Sequence, residues 1–497
     1  MPPVAASVVI IGGGPAGAVA GQLLAEWGHR TVVLEQCPDG ARRLQPGGSS
    51  GLLESIPPSA RKLFHQIGIL HHVDAAGFYR SSGNTVWWGG EDGRVESFAG
   101  GRQGWQIFRP EFDAWLLRLA AQRGADVRTG AHVRHVDVSG AAPGAHLDVE
   151  RDGVRETLSC DWVLDCSGRA GVLARRTRRA GVRTFSLVGA WRTSDGWGVP
   201  DVTHTLVEAF DRGWAWSIPR SDTERQVGIM LDGPSPRREG SRALFEAYRA
   251  ELDRTTHVSR HVRHAALESV WACDASTYSS VECAGPRHLL VGDAASFVDP
   301  LSSFGVKKAM GSAWMAAVVV NTILRHPERR EAALELFASW EREVSATHAA
   351  QTRDFARAAA VHFDHSFWNT RASLAVLASA ETAGDGVSDA DIQSAFREIQ
   401  NSDEIVFDLD ARVSYERRPV IRDREVVLED AFPSGVRFRD NVDLVTLARL
   451  ACHHRHVPDL FDAYCRTTAP VPLPSVLGGL SLLVAKGYLI KKDVVRC

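Results

Sequence analysis

Six residues, Gly12-Gly13-Gly14-Pro15-Ala16-Gly17, limit what this chain can fold into more than any other stretch. They follow a short apolar run, Val8–Ile11, of the kind a parallel strand buried on both faces requires. A helical stretch, Ala18–Trp27, comes next, and a second strand, Thr31–Leu34, ends at Glu35. Read in order, each part has a task. Gly12 permits a tight turn, Gly14 lets a pyrophosphate approach the backbone, and Gly17 lets the helix pack on the strand. Pro15 and Ala16 complete the turn, and the helix N-terminus favours the negative charge. An acid about 20 residues beyond the glycines accepts a bond from a ribose hydroxyl and argues against a 2′-phosphate. The expectation is an α/β chain with a Rossmann-like dinucleotide-binding domain.

Composition narrows the partners. A chain of 497 residues exceeds one ordinary core, so two or three domains are expected. The net charge of −3 and the absence of dense basic clusters argue against nucleic acid. The longest apolar run, near Met315–Leu324, falls short of the roughly 20 residues of a membrane span. No basic leader precedes the first strand. Eight cysteines without a CxxC pair read as reduced thiols of a cytoplasmic protein. Cys452-His453-His454 reads as a solvated helix face, so no metal site is expected.

Three further segments carry a resemblance. Arg109-Pro110-Glu111-Phe112-Asp113 opens a helix with apolar Trp115, Leu116 and Leu119. Asp161–Gly168 reads as a buried strand entering an Asp-x-Ser-Gly turn, and Leu289–Ala294 as a third strand ending in Gly292-Asp293. Together with the glycine turn these are similar to flavin monooxygenases of the p-hydroxybenzoate hydroxylase type. That likeness implies FAD as cofactor and O2 as co-substrate. Arg43 and Arg109 would reach the FAD, and Asp293 would meet the ribityl hydroxyls. Pro300, Ser303, Phe304, Gly305 and Val306 would line the isoalloxazine. For Asp165 a turn-forming role stands beside a cofactor role.

Gly213-Trp214-Ala215-Trp216-Ser217-Ile218-Pro219 resembles the WxWxIP pattern of flavin-dependent halogenases, and Leu53–Pro58 resembles their GESLLP segment. His362-Phe363 and Phe367-Trp368 stand where that family has His-Tyr and Phe-Trp. The resemblance spans residues 5–375. It implies that Trp214 and Trp216 separate the flavin from the substrate. It also implies a lysine in a Gly-Phe-x-x-Lys-x-Gly segment, yet here Gly77–Gly83 carries Ser81 at that place. No lysine lies between Lys62 and Lys307, and Phe304 replaces a small residue beside the expected halide. Ser cannot form a haloamine, and the neighbouring Arg80 is permanently protonated and a poor nucleophile. Without that lysine, the resemblance implies the chemistry these families share, a C4a-hydroperoxyflavin that can transfer OH to an electron-rich ring.

Past residue 375 the character changes. Ala380–Asp389 reads as a connection, and Glu425–Leu428, Pro433-Ser434-Gly435 and Val436–Phe438 as strand, turn and strand. Helical periods follow at Leu444–Cys452, Leu460–Cys465 and Val476–Ala485, closed by Gly487–Ile490. This resembles a winged-helix-like α+β domain of the sort that docks precursor peptides. Expected boundaries are a catalytic region, 1–385, and a C-terminal domain, 391–497. Within the first, 5–60, 105–180 and 280–330 would bind FAD. Residues 61–104 and 181–279 would form a mixed-sheet substrate domain, and 331–385 a helical part.

The whole resembles the flavoprotein maturases of quinone-cofactor enzymes, which oxygenate a Trp residue on the way to cysteine tryptophylquinone. That implies an aromatic hydroxylase acting on a peptide or protein bearing Trp. NAD(P)H, or reduced flavin from a separate flavin reductase, would supply the electrons. Glu54 and His365 are the acid–base candidates. Hydroxylation of a free small aromatic and halogenation are the alternatives. Gly47–Gly51 matches a GxSxG elbow but lacks its strand and helix.

Overall fold

The computed structural model describes residues 5–38, 51–89, 92–139, 144–173, 178–233, 240–374, 389–402, 404–409, 419–422, 425–427, 438–439, 441–468 and 470–492. Two compact units result: residues 1–317 with 337–377, and residues 318–336 with 378–497.

The glycine turn of the first unit connects β1 (Ala5–Ile11) to α1 (Pro15–Glu26), and β2 (Thr31–Glu35) follows. Next come β3 (Leu53–Ile56), β4 (Tyr79–Ser81), β5 (Gly104–Phe108) and α2 (Arg109–Gln122). Later elements are β6 (Val154–Asp165), β7 (Gly213–Pro219), β8 (Glu224–Asp232) and β9 (His288–Leu290). Three helices close the series: α3 (Gly305–Arg325), α4 (Arg330–Ala360) and α5 (Ser366–Ala372).

β1 lies between β2 and β6 and is parallel to both. β9 pairs in parallel with the far side of β6, and Asp126–Thr129 with the far side of β2. Val8, Val9 and Ile10 are fully buried, which explains an unbroken apolar run where a one-faced strand would alternate. The ends of β1, β6 and β9 thus bring Gly12, Asp165 and the Gly292 turn to one edge of the sheet, where such folds take their ligands.

A second, mixed sheet has seven strands. Its order is Ala266–Asp274, Thr184–Arg192, β8, β7, Thr205–Phe210, Gly83–Trp87 and Arg94–Ser97. Only Thr205–Phe210 against Gly83–Trp87 is parallel. β3, β5 and β4 form a small antiparallel sheet. The arrangement is the expected one: a Rossmann-like sheet interleaved with a mixed sheet.

The second unit is α+β. Its helices are Asp389–Gln400, Leu444–Ala451, Val457–Thr467 and Leu473–Ala485. Phe407–Leu409 pairs with Leu489–Lys491, and Val420–Arg422 with Glu425–Val427. Asp443 caps its helix by accepting from the N–H groups of Val445 and Thr446. Residues 318–336 count here because buried Asn321 donates to the Pro419 carbonyl at 2.6 Å and Thr322 accepts from the Ile421 N–H at 2.8 Å. Cys452–His454 follows the Leu444–Ala451 helix as a turn, so it is not the helix face expected. Among the described residues no helix is long and apolar enough to cross a membrane. The turn at 433–435 lies outside the described residues.

Candidate active site

The glycine turn is closed by backbone contact. Gly12 has φ +100°, and a Cβ there would meet the Cys166 carbonyl oxygen at 2.5 Å. A Cβ on Gly17 would lie 1.8 Å from the Gly12 oxygen. Gly14 has only Asp113 Oδ2 nearby, at 4.0 Å, so its outer side is open to a ligand. Pro15 occupies the first turn of α1, where its missing N–H costs nothing. Ala16 is buried and comes within 3.2 Å of the Cβ position on Gly292, which joins the two turns. Glu35, at the end of β2, accepts from the Gly13 N–H at 2.7 Å and the Cys37 N–H at 2.9 Å. The carboxylate therefore stands at the lip of the turn. These features fit a bound dinucleotide.

Arg109 begins α2 and binds both oxygens of Asp113, at 2.9 and 3.1 Å. Its third contact, at 2.5 Å, is Glu54 on β3. Burial alone would lower the Arg109 pKa, but the two carboxylates hold it well above its ordinary value. The other Glu54 oxygen lies 3.6 Å from the Cβ position of Gly305. Arg109, Glu54 and the start of α3 thus form one group. Arg43 lies outside the described residues, as do all but the last residue of Gly47–Gly51.

Asp293 is half-buried, and its backbone carbonyl accepts from the Tyr278 hydroxyl at 2.6 Å. Pro300–Ser302 is a single helical turn capped by Asp299, which accepts from the Leu301 N–H at 3.0 Å. Burial pushes the Asp299 carboxyl pKa up. Ser303 adopts φ +51°, reversing the chain into α3, and Val306 is buried. The Phe304 ring packs 4.9 Å from His348, with the Lys307 ammonium 4.6 Å above it.

Trp214 and Trp216 share one face of β7, as alternate residues of a strand must. Trp214 belongs to a buried cluster with Ala209, Met230, Phe367 and Trp368, fringed by Trp88, Trp216, Phe363 and Leu301. Leu301 therefore carries the Pro300 turn to an aromatic wall. Trp368 donates to the Phe210 carbonyl at 2.8 Å and meets Trp88 edge-on at 5.4 Å. Beside the wall a cavity of about 380 Å³ is lined by Glu208, Phe210, Asp211, Arg254, Thr256 and Phe363. His365 caps α5: its Nδ1 accepts from the Phe367 N–H at 3.1 Å. In that tautomer the proton sits on Nε2, so the ring has no free lone pair with which to act as a base.

Ser81 is fully buried on β4, and its hydroxyl donates to the Gly83 carbonyl at 3.2 Å. Arg80 pairs with Asp74 at 3.2 Å and lies 5.4 Å from the Trp105 ring. Asp165 accepts from Ser167 and from the Leu173 N–H at 2.7 Å, which makes it the organiser of its own turn. Sequence reasoning missed Lys308, Ser312 and Glu341, all buried beneath Gly292.

The FAD binding domain family model matches residues 5–356. The tryptophan 2-halogenase of Chondromyces crocatus is 30% identical over 335 residues, covering 65% of this chain and 62% of that protein. The chain thus spans less than two thirds of that relative's length. Among solved structures, the flavin-dependent halogenase CmlS superposes with a TM-score of 0.69 at 22% identity, over 99% of this chain and 96% of its own. The peptidyl tryptophan dihydroxylase QhpG, essential for tryptophylquinone cofactor biogenesis, gives 0.62 at 23%, over 97% and 100%. The family match runs through both sheets and into α4, and it decides the identity: this chain belongs to the FAD binding domain family, with a halogenase-like fold and FAD as its cofactor.

Proposed function

We propose that this chain is an FAD-dependent monooxygenase that hydroxylates an aromatic ring, a tryptophan indole of a peptide or protein, as a step toward a tryptophan-derived quinone. The observation that carries the reading is Ser81. Where the halogenase resemblance asks for an amine, the chain has a buried hydroxyl already bonded to a carbonyl. The likeness to QhpG over nearly the whole of both chains supports the peptide substrate. Reduced FAD, when bound, supplies the electrons with which one oxygen atom of O2 enters the ring as hydroxyl and the other leaves as water.

The chain's own residues do the rest. Gly12, Gly14, Pro15, Ala16, Gly17 and Glu35 hold the nucleotide end, and Asp293 with Pro300–Val306 holds the flavin end. Arg109 fixes Glu54 beside the start of α3. Trp214, Trp216 and their neighbours keep the ring in a dry wall, and water exclusion limits loss of oxidant as peroxide. The neighbouring cavity of about 380 Å³ is large enough for an indole. Glu54 is the acid–base candidate left with an accessible oxygen.

The test is to supply the full chain with FAD, NAD(P)H, a flavin reductase and ¹⁸O2, and to offer Trp-containing peptides beside free tryptophan and indole. Label in the peptide alone supports the reading; label in the free compounds alone means a small-molecule hydroxylase. The named relative favours a second reading, halogenation of an indole with a halide carrier other than residue 81.

A further inference from the structure

The turn that carries Asp293 is gripped from inside the protein. Gly292 is buried at φ +64°, with Ala309 of α3 3.3 Å from its Cβ position. Its N–H donates to Ser312 Oγ at 2.8 Å. Its carbonyl accepts from Lys308 Nζ at 2.9 Å, and the same ammonium reaches the Ser296 carbonyl at 2.6 Å. Lys308 and Ser312 stand one turn apart on α3, so a single helix face holds both polar groups of Gly292 and the far end of the Asp293 segment.

The grip continues into α4. Ser312 donates to Glu341 Oε1, while Glu341 Oε2 is buried with no hydrogen-bond partner among the described residues. Lys308 and Glu341 are each only 4% exposed. Burial is the largest influence on the Glu341 carboxyl and raises its pKa; Lys308 and Ser312 oppose it, and Asp293 raises it further. Burying a lysine and a glutamate is costly, and an apolar core of equal volume would be at least as stable. The polar choice makes sense for geometry rather than for stability: it fixes the backbone of one turn at three points.

We propose that Lys308, Ser312 and Glu341 are positioning residues for the riboflavin half of FAD, setting the Gly292–Asp293 turn so that Asp293 meets the ribityl chain. This rests on the assignment of Asp293 to the cofactor. The nucleotide half falls to the Gly12–Gly17 turn with Glu35; Ala16 of that turn packs on Gly292, but the side-chain hydrogen bonds of Lys308, Ser312 and Glu341 run to Gly292, to Ser296 and to one another. The post therefore acts on one half of the ligand and not on the other.

Calorimetric titration of the flavin-free full chain with FAD and, separately, with ADP tests this. Ser312→Ala is expected to weaken FAD at least tenfold while ADP stays within twofold, and Asp293→Ala to show the same split. Lys308→Met is expected to shift the reduction potential of bound flavin to a more negative value; should that variant not fold, Ser312→Ala still decides. Equal losses for FAD and ADP, or none, in Ser312→Ala with the split intact in Asp293→Ala would overturn the post alone. Full FAD affinity in Asp293→Ala would overturn the cofactor assignment, and the proposal with it.

Discussion

Trp216 lies against Gly228 on the neighbouring strand, so closely that a Cβ on the glycine would meet the indole Cε2 at 2.1 Å. The two residues are register partners between β7 and β8. The indole occupies the space a side chain would take, and this fixes one edge of the aromatic wall.

Gly228→Ala must push that indole away. Overpacking of this kind costs about 1–3 kcal/mol. The expected outcome is a lower Tm and more hydrogen peroxide per electron pair consumed, because the wall no longer excludes water. A peroxide assay on the loaded enzyme checks it; unchanged peroxide would mean that Trp216 does not border the reacting space.

Ser81→Lys asks whether the missing amine alone separates this chain from halogenases. The position is fully buried and its hydroxyl is bonded to Gly83. An uncompensated buried ammonium costs about 3–5 kcal/mol. The substitution should lower stability and yield no chlorinated or brominated product by mass spectrometry.

Asp299 makes stability depend on pH. Burial raises its carboxyl pKa in the folded chain. Between the unfolded value, about 4, and the raised folded value, the native state binds the extra proton. Stability therefore falls as pH rises through that window. Asp299→Asn keeps an acceptor for the Leu301 N–H and removes the titration. The variant should lose less Tm than the parent as pH rises from about 4 toward neutrality; parallel curves would contradict it.

Gly12→Ala places a methyl 2.5 Å from the Cys166 carbonyl oxygen, at a φ of +100° that side chains avoid. Loss of measurable FAD and ADP binding together is expected, unlike the split expected for Ser312→Ala. Retained ADP binding would show that the turn tolerates a side chain.

The nucleotide turn and the tryptophan pair were legible because each depends on short-range spacing: glycines where backbones touch, and two indoles on alternate residues of a strand. The three helical periods near 444–452, 460–465 and 476–485 were legible from local spacing as well, whereas Glu425–Val427 pairs with Val420–Arg422 rather than with the strand expected at 436–438. Lys308 was not legible. Beside Lys307 it reads as an exposed pair at a helix start, and only packing against α4 and the Gly292 turn buries it. Asn321 and Thr322 likewise sit in an apolar helix, and their bonds run to residues about a hundred positions away in the chain, Pro419 and Ile421. The helix Asp389–Gln400 did carry a local signal, with Ala395 and Ile399 buried at helical spacing, but it lies against a stretch read as a connection. His365 shows the converse: a residue offered as an acid–base candidate for its side chain alone caps a helix.

The most direct test of the account is a competition. The enzyme, FAD and a reductant are given O2, a Trp-containing peptide and excess bromide, and the peptide is read by mass spectrometry. Addition of oxygen to the tryptophan at a rate indifferent to bromide is the predicted result. A brominated peptide would contradict the account and show that this chain makes its halide carrier from some residue other than Ser81.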